Sequence, residues 1–298
     1  MSDTTTSTRP STLEEALPGF LRALAGKNRS DATIRAYQTD VGQFISWLHD
    51  NTVIVHAPAQ VARIDVTEYL AHLAGRGLSG VSRARKLAAI REFFRYLVDL
   101  EIVDKSPVAG VETPKKERNG RTFLRPDEYT KLLSLAGGNP RDYAIFQVFL
   151  QTGVRVSELC ALCLDDIDLE GRLLHVREGK GMVARSIELE KKAVQALRSY
   201  LGVRDQTLDA HLFLNRDGEP LGERGVRKLV HRYCQRAGIT KPVSPHSFRH
   251  TFGTYKAERG VSPFQLQQWL GHASLNTTQI YVHLGRQNAR KVMEATSL

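Results

Sequence analysis

The spacing of apolar residues constrains the first third of the chain most strongly. From Leu13 to about Leu100 these residues recur at steps of three and four, the period of an α-helix, and no segment alternates convincingly as a strand does. Ser30 and Asp31 can cap one of these helices. Its apolar stripe consists of Ile34, Tyr37, Val41, Phe44 and Leu48. Together with a first helix over 13–24, the pattern predicts a small bundle of four helices.

Two further helices complete this bundle. Asp65 can cap a short helix whose apolar positions are Val66, Tyr69, Leu70 and Leu73. A longer helix is expected to begin near Ser79 and to turn inward Leu87, Ile90, Phe94, Leu97 and Leu100. That packing leaves three basic side chains free to face away from the bundle, namely Arg83, Lys86 and Arg91.

A break in the helical pattern between Asp104 and Arg121 predicts a domain boundary. Prolines, glycines and a polar run over 115–119 fill this stretch. We therefore expect a disordered Ser/Thr-rich tail at 1–11, an all-α domain at 12–105, a linker at 106–120 and a second domain at 121–298.

The second domain is predicted to be mostly helical with one small antiparallel sheet. Helices are expected to open at Pro126 and at Pro140, the latter ending at Gly153, and a third to run from about Val156 to Leu164. The period then changes to two around the glycine-bracketed segment 178–181, which predicts a β-hairpin. The residues at this period are Leu173, His175, Arg177, Val183, Arg185, Ile187 and Leu189. Helices return after Glu190 and continue nearly to the end.

The distribution of charge indicates a polyanionic partner. The chain carries 42 Lys and Arg against 32 Asp and Glu, a formal net charge of +10. Residues 221–260 hold nine basic against two acidic residues, whereas residues 1–110 are close to neutral. A basic stretch on helices is typical of DNA binding, and charge alone equally fits a solvated helical face.

Composition and cysteine content favour a protein of the cytoplasm. Apolar runs are only a few residues long and Met1–Pro10 lacks the apolar stretch of a signal peptide, so we expect no membrane span and no secretion. Three cysteines are too few for a disulfide framework. Cys160 and Cys163 form a Cys-x-x-Cys without a second pair that could complete a zinc site. We predict buried core thiols on a helical stripe and no metal.

Two Ser-Pro pairs place basic side chains at helix ends. Ser244-Pro245 should begin a helix with His246 and Arg249 on one face of its opening turns, where backbone N–H groups and an arginine fork favour a phosphate. Ser262-Pro263 should begin another that Gly271 ends, which places His272 just past it.

Three more residues complete a candidate site for phosphoryl transfer. Arg155 follows the helix-ending Gly153, with Glu158 one turn later, able to orient it. Lys180 lies at the predicted hairpin tip, and Tyr281 lies in the second turn of a last helix that Asn276 caps. Fixed arginines stabilise a phosphodiester under attack, a lysine can protonate the leaving oxygen, and a tyrosine can attack once deprotonated.

Four boxes in this half resemble the signature of the tyrosine recombinases, also called the phage integrase family, and the Xer-like branch above all. The boxes are Thr152–Leu159, Pro245–His250, Leu270–His272 and Thr277–Tyr281, in the family's order. The resemblance covers nearly the whole chain. It implies a SAM-like core-binding domain before the linker and a catalytic domain after it.

The resemblance implies a role for each candidate residue. Tyr281 would form a 3′-phosphotyrosyl link to DNA, Arg155 and Arg249 would clamp the phosphate, and Lys180 would protonate the 5′-oxygen. The assisting residues would be His246 and His272, at the phosphate, and Glu158, which supports Arg155. No metal or cofactor is implied, and the candidate DNA contacts of the first domain are Arg83, Lys86 and Arg91.

The resemblance also implies partners. Family members exchange strands through a Holliday junction as a tetramer on two duplexes with inverted-repeat half-sites, with or without a second related recombinase. Each subunit passes its C-terminal helix, here about 285–298, to a neighbour. Taken singly, a residue such as Tyr281 is more often an ordinary half-buried aromatic on an amphipathic helix, and Arg155 with Glu158 fits a simple ion pair at a helix junction. Two alternatives stay open, a non-catalytic DNA-binding protein on this fold and a relaxing enzyme of the type IB topoisomerase kind.

Overall fold

A computed structural model describes residues 9–51, 57–115, 122–177, 184–205 and 209–271. Contacts between residues group the chain into two compact units that divide between Asn119 and Gly120. Each unit has a hydrophobic core of its own. None of the helices within these ranges is long and apolar enough to cross a membrane.

The first unit is the predicted helical bundle. Its helices are α1 (Leu13–Gly26), α2 (Asp31–Asn51), α3 (Arg63–Gly75) and α4 (Gly80–Asp99), with a 3-10 turn at Pro58–Gln60. Hydroxyl groups cap three of them, because Thr12, Ser30 and Ser79 each accept a backbone N–H from the first turn. The centre of the bundle is a cluster of aromatic rings with edge-on contacts, formed by Phe20, Phe44, Tyr69, Phe93 and Phe94.

Three sequence predictions for this unit are wrong in detail. Helix α3 begins two residues before Asp65, whose carboxylate lies in the first turn and accepts the Ala62 N–H at 2.7 Å. Leu100 follows the last turn of α4 and is 45% exposed rather than buried. Lys86 does not face away from the bundle. Its side chain is only 7% exposed, and its ammonium donates to Asp40 at 2.9 Å and also to Gln43.

The segment before residue 116 packs onto the first unit. Val108 and Val111 are buried in its core, although both lie in the stretch where the sequence predicts a linker. Arg91 holds this segment, because its guanidinium donates to the Val111 carbonyl at 2.5 Å and to Thr113 Oγ1 at 2.9 Å. The apolar side chains of this stretch therefore extend the hydrophobic core of the first unit beyond α4, as far as Val111.

The second unit is mainly helical with one small sheet, as predicted. Its helices are α5 (Pro126–Ala136), α6 (Pro140–Thr152), α7 (Val156–Ala161), α8 (Lys191–Leu201), α9 (Glu223–Arg236), α10 (Pro245–Glu258) and α11 (Pro263–Leu270). The strands β1 (Ile167–Asp168), β2 (Leu173–Val176) and β3 (Arg185–Glu188) form an antiparallel sheet in the order β1-β2-β3. Leu174 pairs with Ile187, and both side chains are buried. Helix α6 is buried over most of its length and packs against α8, α10 and α5.

Helix α7 ends earlier than the sequence predicts. Leu162 is extended, its carbonyl accepts the Leu212 N–H at 2.7 Å, and so the chain leaves the helix before Cys163. The prediction of two buried thiols is therefore wrong, because Cys160 and Cys163 are half-buried and only Cys160 is helical. Burial raises the pKa of Cys160 to about 12, which makes it a poor thiolate ligand. Within the described ranges no three His, Cys, Asp or Glu side chains form a cluster that could hold a metal ion.

Candidate active site

The first turn of α10 presents one histidine and buries one arginine. Ser244 precedes the helix, and its backbone N–H donates to Ser247 Oγ at 3.1 Å, which confirms the predicted start. His246 is exposed, with its ring edge-on to the ring of His250 and the centroids 4.5 Å apart. Arg249, one turn further, is only 2% exposed. The two candidate residues of this box therefore lie at different depths.

Arg249 joins the ends of two other helices. Its Nη1 donates to the Gly153 carbonyl at 2.9 Å and its Nη2 donates to the Leu270 carbonyl at 2.5 Å. Gly153 ends α6 and Leu270 ends α11, and both carbonyls would otherwise lack an intrahelical partner. The buried guanidinium thus holds α6, α10 and α11 together at one point.

Arg155 and Glu158 form the predicted pair at the start of α7. Glu158 Oε2 accepts the backbone N–H of Arg155 at 2.7 Å, and Glu158 Oε1 accepts its Nη1 at 2.8 Å. Arg155 Nη2 donates to the Gly271 carbonyl at 3.2 Å. The side chain of Glu158 is 1% exposed and that of Arg155 is 33% exposed. The arginine therefore rests on a buried carboxylate and still reaches solvent.

Sequence reasoning missed a third arginine at this site. Arg185 opens β3, and its Nη1 and Nη2 donate to the two oxygens of Glu158 at 3.0 and 2.8 Å, while its Nε donates to the Trp269 carbonyl at 2.7 Å. The signal was present, since Arg185 falls in the same alternating set as the buried residues Ile187 and Leu189. A basic residue that lies on the buried side of a strand needs an acidic partner.

Glu158 stays ionised because its hydrogen bonds outweigh its burial. Burial alone would raise its pKa, but the bonds from Arg185 and from the Arg155 backbone and side chain bring that pKa down to about 2. The carboxylate is therefore negative at any physiological pH, and it lies between two guanidinium groups. The triad of Arg155, Glu158 and Arg185 carries a net positive charge.

The three arginines converge on the C-terminal end of α11. The last carbonyls of this helix belong to Trp269, Leu270 and Gly271, and they accept from Arg185, Arg249 and Arg155 in that order. Gly271 has a φ of 60° and ends the helix. The structure thus brings together Arg155, Glu158 and Arg249, with His246 on the outer face of α10. The other predicted site residues, Lys180, His272 and Tyr281, lie outside the described residues.

Helix α9 presents a strongly basic face. Its exposed cationic side chains are Arg224, Arg227, Lys228, Arg232 and Arg236, whereas its buried positions are mostly apolar. Glu223 is its one acidic residue and bonds to Arg227 at 2.7 Å. A row of arginines and lysines on one helix face is a suitable surface for phosphates.

The candidate DNA contacts of the first unit differ in their surroundings. Arg83 is partly exposed, and its buried Nε has no hydrogen-bond partner among the described residues. Arg91 is tied to the segment after α4, and Lys86 is buried against Asp40. Arg85, which the sequence did not single out, is half-exposed and is held by both oxygens of Asp40. DNA contact by Arg83, Lys86 and Arg91 stays a prediction, and the burial of Lys86 against Asp40 argues against its contact.

Gly153 is a position that only glycine fits. Its φ is +63°, and a Cβ there would come within 2.7 Å of Phe252 Cδ1 and 3.0 Å of Leu270 Cδ2. We expect Gly153→Ala to lower the free energy of unfolding by about 3 kcal/mol, from left-handed strain and overpacking together. Gly260→Ala is the control, because Gly260 also has a positive φ, +84°, with open space around it. It should lose only about 1 kcal/mol from strain. Urea unfolding measures both, and equal losses would contradict the packing argument.

Both units of the chain match families of known proteins. Residues 122–288 match the phage integrase family, and residues 17–100 match the phage integrase N-terminal SAM-like domain. A tyrosine recombinase XerD from Bifidobacterium longum is 37% identical over 270 residues, which cover 85% of this chain and 87% of that protein. The crystal structure of XerA recombinase is 30% identical, with a TM-score of 0.55 over 95% of this chain and 99% of that one.

A second solved structure supports the fold alone. The Tn1549 transposon integrase in complex with a circular intermediate DNA has a TM-score of 0.77 over 95% of this chain and all of that one, at 20% identity. With the family matches over both units and the identity to XerD, these likenesses cover nearly the whole chain. The chain belongs to the phage integrase family and is an Xer-like tyrosine recombinase, an enzyme that cleaves and rejoins DNA at specific sites.

Proposed function

We propose that this recombinase cleaves DNA by attack of Tyr281 on a phosphodiester. The tyrosine Oη–phosphorus bond forms as the bond from phosphorus to the 5′-oxygen breaks, and Lys180 gives that oxygen its proton. The product is a 3′-phosphotyrosyl link with a free 5′-hydroxyl. The 5′-hydroxyl of another strand then attacks the link and displaces the tyrosine, so that two such exchanges make and resolve a Holliday junction.

The observation that carries this proposal is the meeting of Arg155 and Arg249 at the end of α11. They come from separate segments, and each donates to a carbonyl of the same helix end. Two guanidinium groups fixed by the protein can bind the non-bridging oxygens of a phosphate without reorganising during the reaction. Glu158 supports Arg155 from the buried side.

The two histidines take assisting roles. His246 is exposed on the same helix as Arg249, so it can reach a phosphate that the arginine holds. His272 directly follows Gly271, whose carbonyl accepts from Arg155. We assign both to hydrogen bonding of the phosphate and to proton transfer with Tyr281. The mechanism requires no metal or cofactor, because the bond energy is held in the covalent link.

The substrate we propose is a duplex with two inverted half-sites. Residues 12–105 would clamp one face of a half-site, and residues 121–298 would bind the other face with the basic side of α9. Residues 106–120, whose first part packs onto the first unit, would connect the two domains. Four subunits would act on two duplexes in the cytoplasm, on nucleoid DNA, each passing residues 285–298 to a neighbour. Either one chain or this chain with a second related recombinase would fill the tetramer.

Covalent trapping tests this function. The wild-type chain and Tyr281→Phe are incubated with sheared chromosomal DNA of the source organism, the mixtures are denatured with detergent, and the DNA attached to protein is sequenced. We expect one short site with inverted repeats from the wild type, no attached DNA from Tyr281→Phe, and non-covalent binding of that site by both. Tyr255→Phe, at the distal half of α10, is the control for loss of a tyrosine hydroxyl.

Each alternative predicts a different result. Attachment at random positions would favour a topoisomerase-like relaxing activity. The wild type could instead bind a defined site and form no adduct, even on a nicked duplex that prevents religation. That result would favour a DNA-binding protein without catalysis. An adduct that persists in Tyr281→Phe would refute the assignment of the nucleophile.

A further inference from the structure

Arg185 has no part in the chemistry proposed above, yet its guanidinium lies within the arginine cluster. Its side chain is 7% exposed, and it comes from β3, whereas Arg155 and Glu158 belong to the start of α7. Burying an arginine is unfavourable unless its donors are paired, and three of its N–H groups are paired here, two on Glu158 and one on the Trp269 carbonyl.

The bonds on Glu158 divide evenly between two arginines. Oε1 accepts Nη1 of Arg155 and Nη1 of Arg185, whereas Oε2 accepts the backbone N–H of Arg155 and Nη2 of Arg185. The fork of Arg185 is bidentate, and the side chain of Arg155 uses one nitrogen only. Both carboxylate oxygens are fully occupied, so Glu158 has no free lone pair to draw Arg155 further inward.

The net charge of the cluster of Arg155, Glu158 and Arg185 also depends on Arg185. A buried carboxylate with Arg155 as its one cation would form a neutral pair, and such a pair attracts a phosphate weakly. Arg185 adds the charge that leaves the cluster positive, and its Nη1, Nη2 and Nε are all bonded within the protein, to Glu158 and to the Trp269 carbonyl. Its Nε bond also fixes the carbonyl that precedes those held by Arg249 and Arg155.

We propose that Arg185 is a positioning residue for strand cleavage, which saturates Glu158 and thereby keeps the remaining N–H groups of Arg155 directed to the scissile phosphate. This inference rests on the proposed function, because it explains how Arg155 is held. It assigns Arg185 no contact with DNA or with Tyr281. Its loss should therefore slow cleavage without weakening DNA binding.

Single-turnover cleavage separates positioning from folding. The probe is the duplex recovered by covalent trapping, nicked to prevent religation and used at saturation. We expect Arg185→Met to slow adduct formation about 100-fold while its Kd for the duplex stays within about threefold. Arg185→Lys keeps the charge but loses the bidentate bond to Glu158. Its adduct should form about tenfold faster than that of Arg185→Met.

Arg141 provides the matched control. It lies at the opposite end of α6 from Gly153, and it also bonds to one buried carboxylate and one carbonyl, with Nε and Nη2 on Asp142 Oδ1 at 3.0 and 2.8 Å and Nη1 on the Leu214 carbonyl at 2.9 Å. Arg141→Met should destabilise the unit as Arg185→Met does, and its adduct should form within about twofold of the wild-type rate. Equal slowing in both variants would mean that Arg185 is merely structural.

A double variant tests whether Arg185 acts through Glu158. In the Arg185→Met background the two acceptor positions that Glu158 regains draw Arg155 inward, so adding Glu158→Gln should raise the cleavage rate at least about fivefold. In the wild-type background the same substitution should lower the rate, because Arg155 loses its anchor. If the cleavage rate of the double variant is instead lowered by the product of the two single effects, the proposal is overturned.

A measurement without DNA keeps this inference distinct from the proposed function. Inorganic phosphate is titrated into protein labelled with ¹⁵N-arginine, and the Nε–H resonance of Arg155, assigned with Arg155→Lys, is followed. We expect a saturable shift in the wild-type chain and at least about threefold weaker binding in Arg185→Met. An unchanged titration, or no response of Arg155 in the wild type, would overturn the inference. Failure of the wild type to form any adduct would instead count against the proposed function.

Discussion

Arg249→Ala is expected to lower the rate of strand cleavage by about 1,000-fold at saturating DNA. The substitution removes one of two fixed cations from the proposed phosphate clamp, and loss of one preorganised donor at a transition state typically reduces the rate by 10²–10³. It also breaks the bonds to the Gly153 and Leu270 carbonyls, which hold the end of α11 before His272. The measurement is single-turnover adduct formation on the trapped duplex.

Folding and catalysis must be separated in this variant. Two carbonyls lose their donor, so we expect the free energy of unfolding to fall by about 2 kcal/mol, and cleavage is measured well below the unfolding temperature. Arg249→Lys keeps a charge but makes at most one of the two bonds well, and we expect it to be about 50-fold slower than the wild type. Arg259→Ala, at the exposed end of the same helix, should cleave normally. Cleavage by Arg249→Ala within tenfold of the wild type would remove Arg249 from the clamp.

Local signals made much of this site predictable from sequence. The Ser-Pro pairs and Gly271 set the ends of α10 and α11, because caps, proline and left-handed glycine act within one turn. The pair of Arg155 and Glu158 lies at a spacing of three on one helix, and such pairs form from local geometry alone. The structure confirms each of these features.

Contacts between distant segments were not predictable in the same way. Arg185 reaches Glu158 across 27 positions of the chain, and Lys86 reaches Asp40 across 46. Helical periodicity labels a lysine as an outward residue, whereas a buried acidic side chain on a neighbouring helix can reverse that assignment. The early end of α7 has the same origin, since Leu162 pairs with Leu212 rather than continuing the helix.

Asp40→Ala is expected to destabilise the chain by about 4 kcal/mol, because it leaves the buried ammonium of Lys86 without its counter-charge. Asp40 is fully buried on α2 and binds both Lys86 and Arg85 of α4. Replacing the whole pair, in Asp40→Leu with Lys86→Met, should return stability to within about 1 kcal/mol of the wild type, since apolar side chains of similar size pack in the same space. Urea unfolding of the three chains measures these differences.

The same double variant decides whether Lys86 binds DNA. Each phosphate contact contributes about 0.9 to the slope of log affinity against log salt concentration, so a lysine that contacts a phosphate lowers this slope when it is lost. An ammonium held by Asp40 and Gln43 is not available to a phosphate, and we therefore expect the slope for Asp40→Leu with Lys86→Met to equal that of the wild type. Arg85 loses its anchor but keeps its charge on the exposed side. A slope lower by about one unit, together with unchanged stability of Lys86→Met alone, would restore Lys86 as a DNA contact.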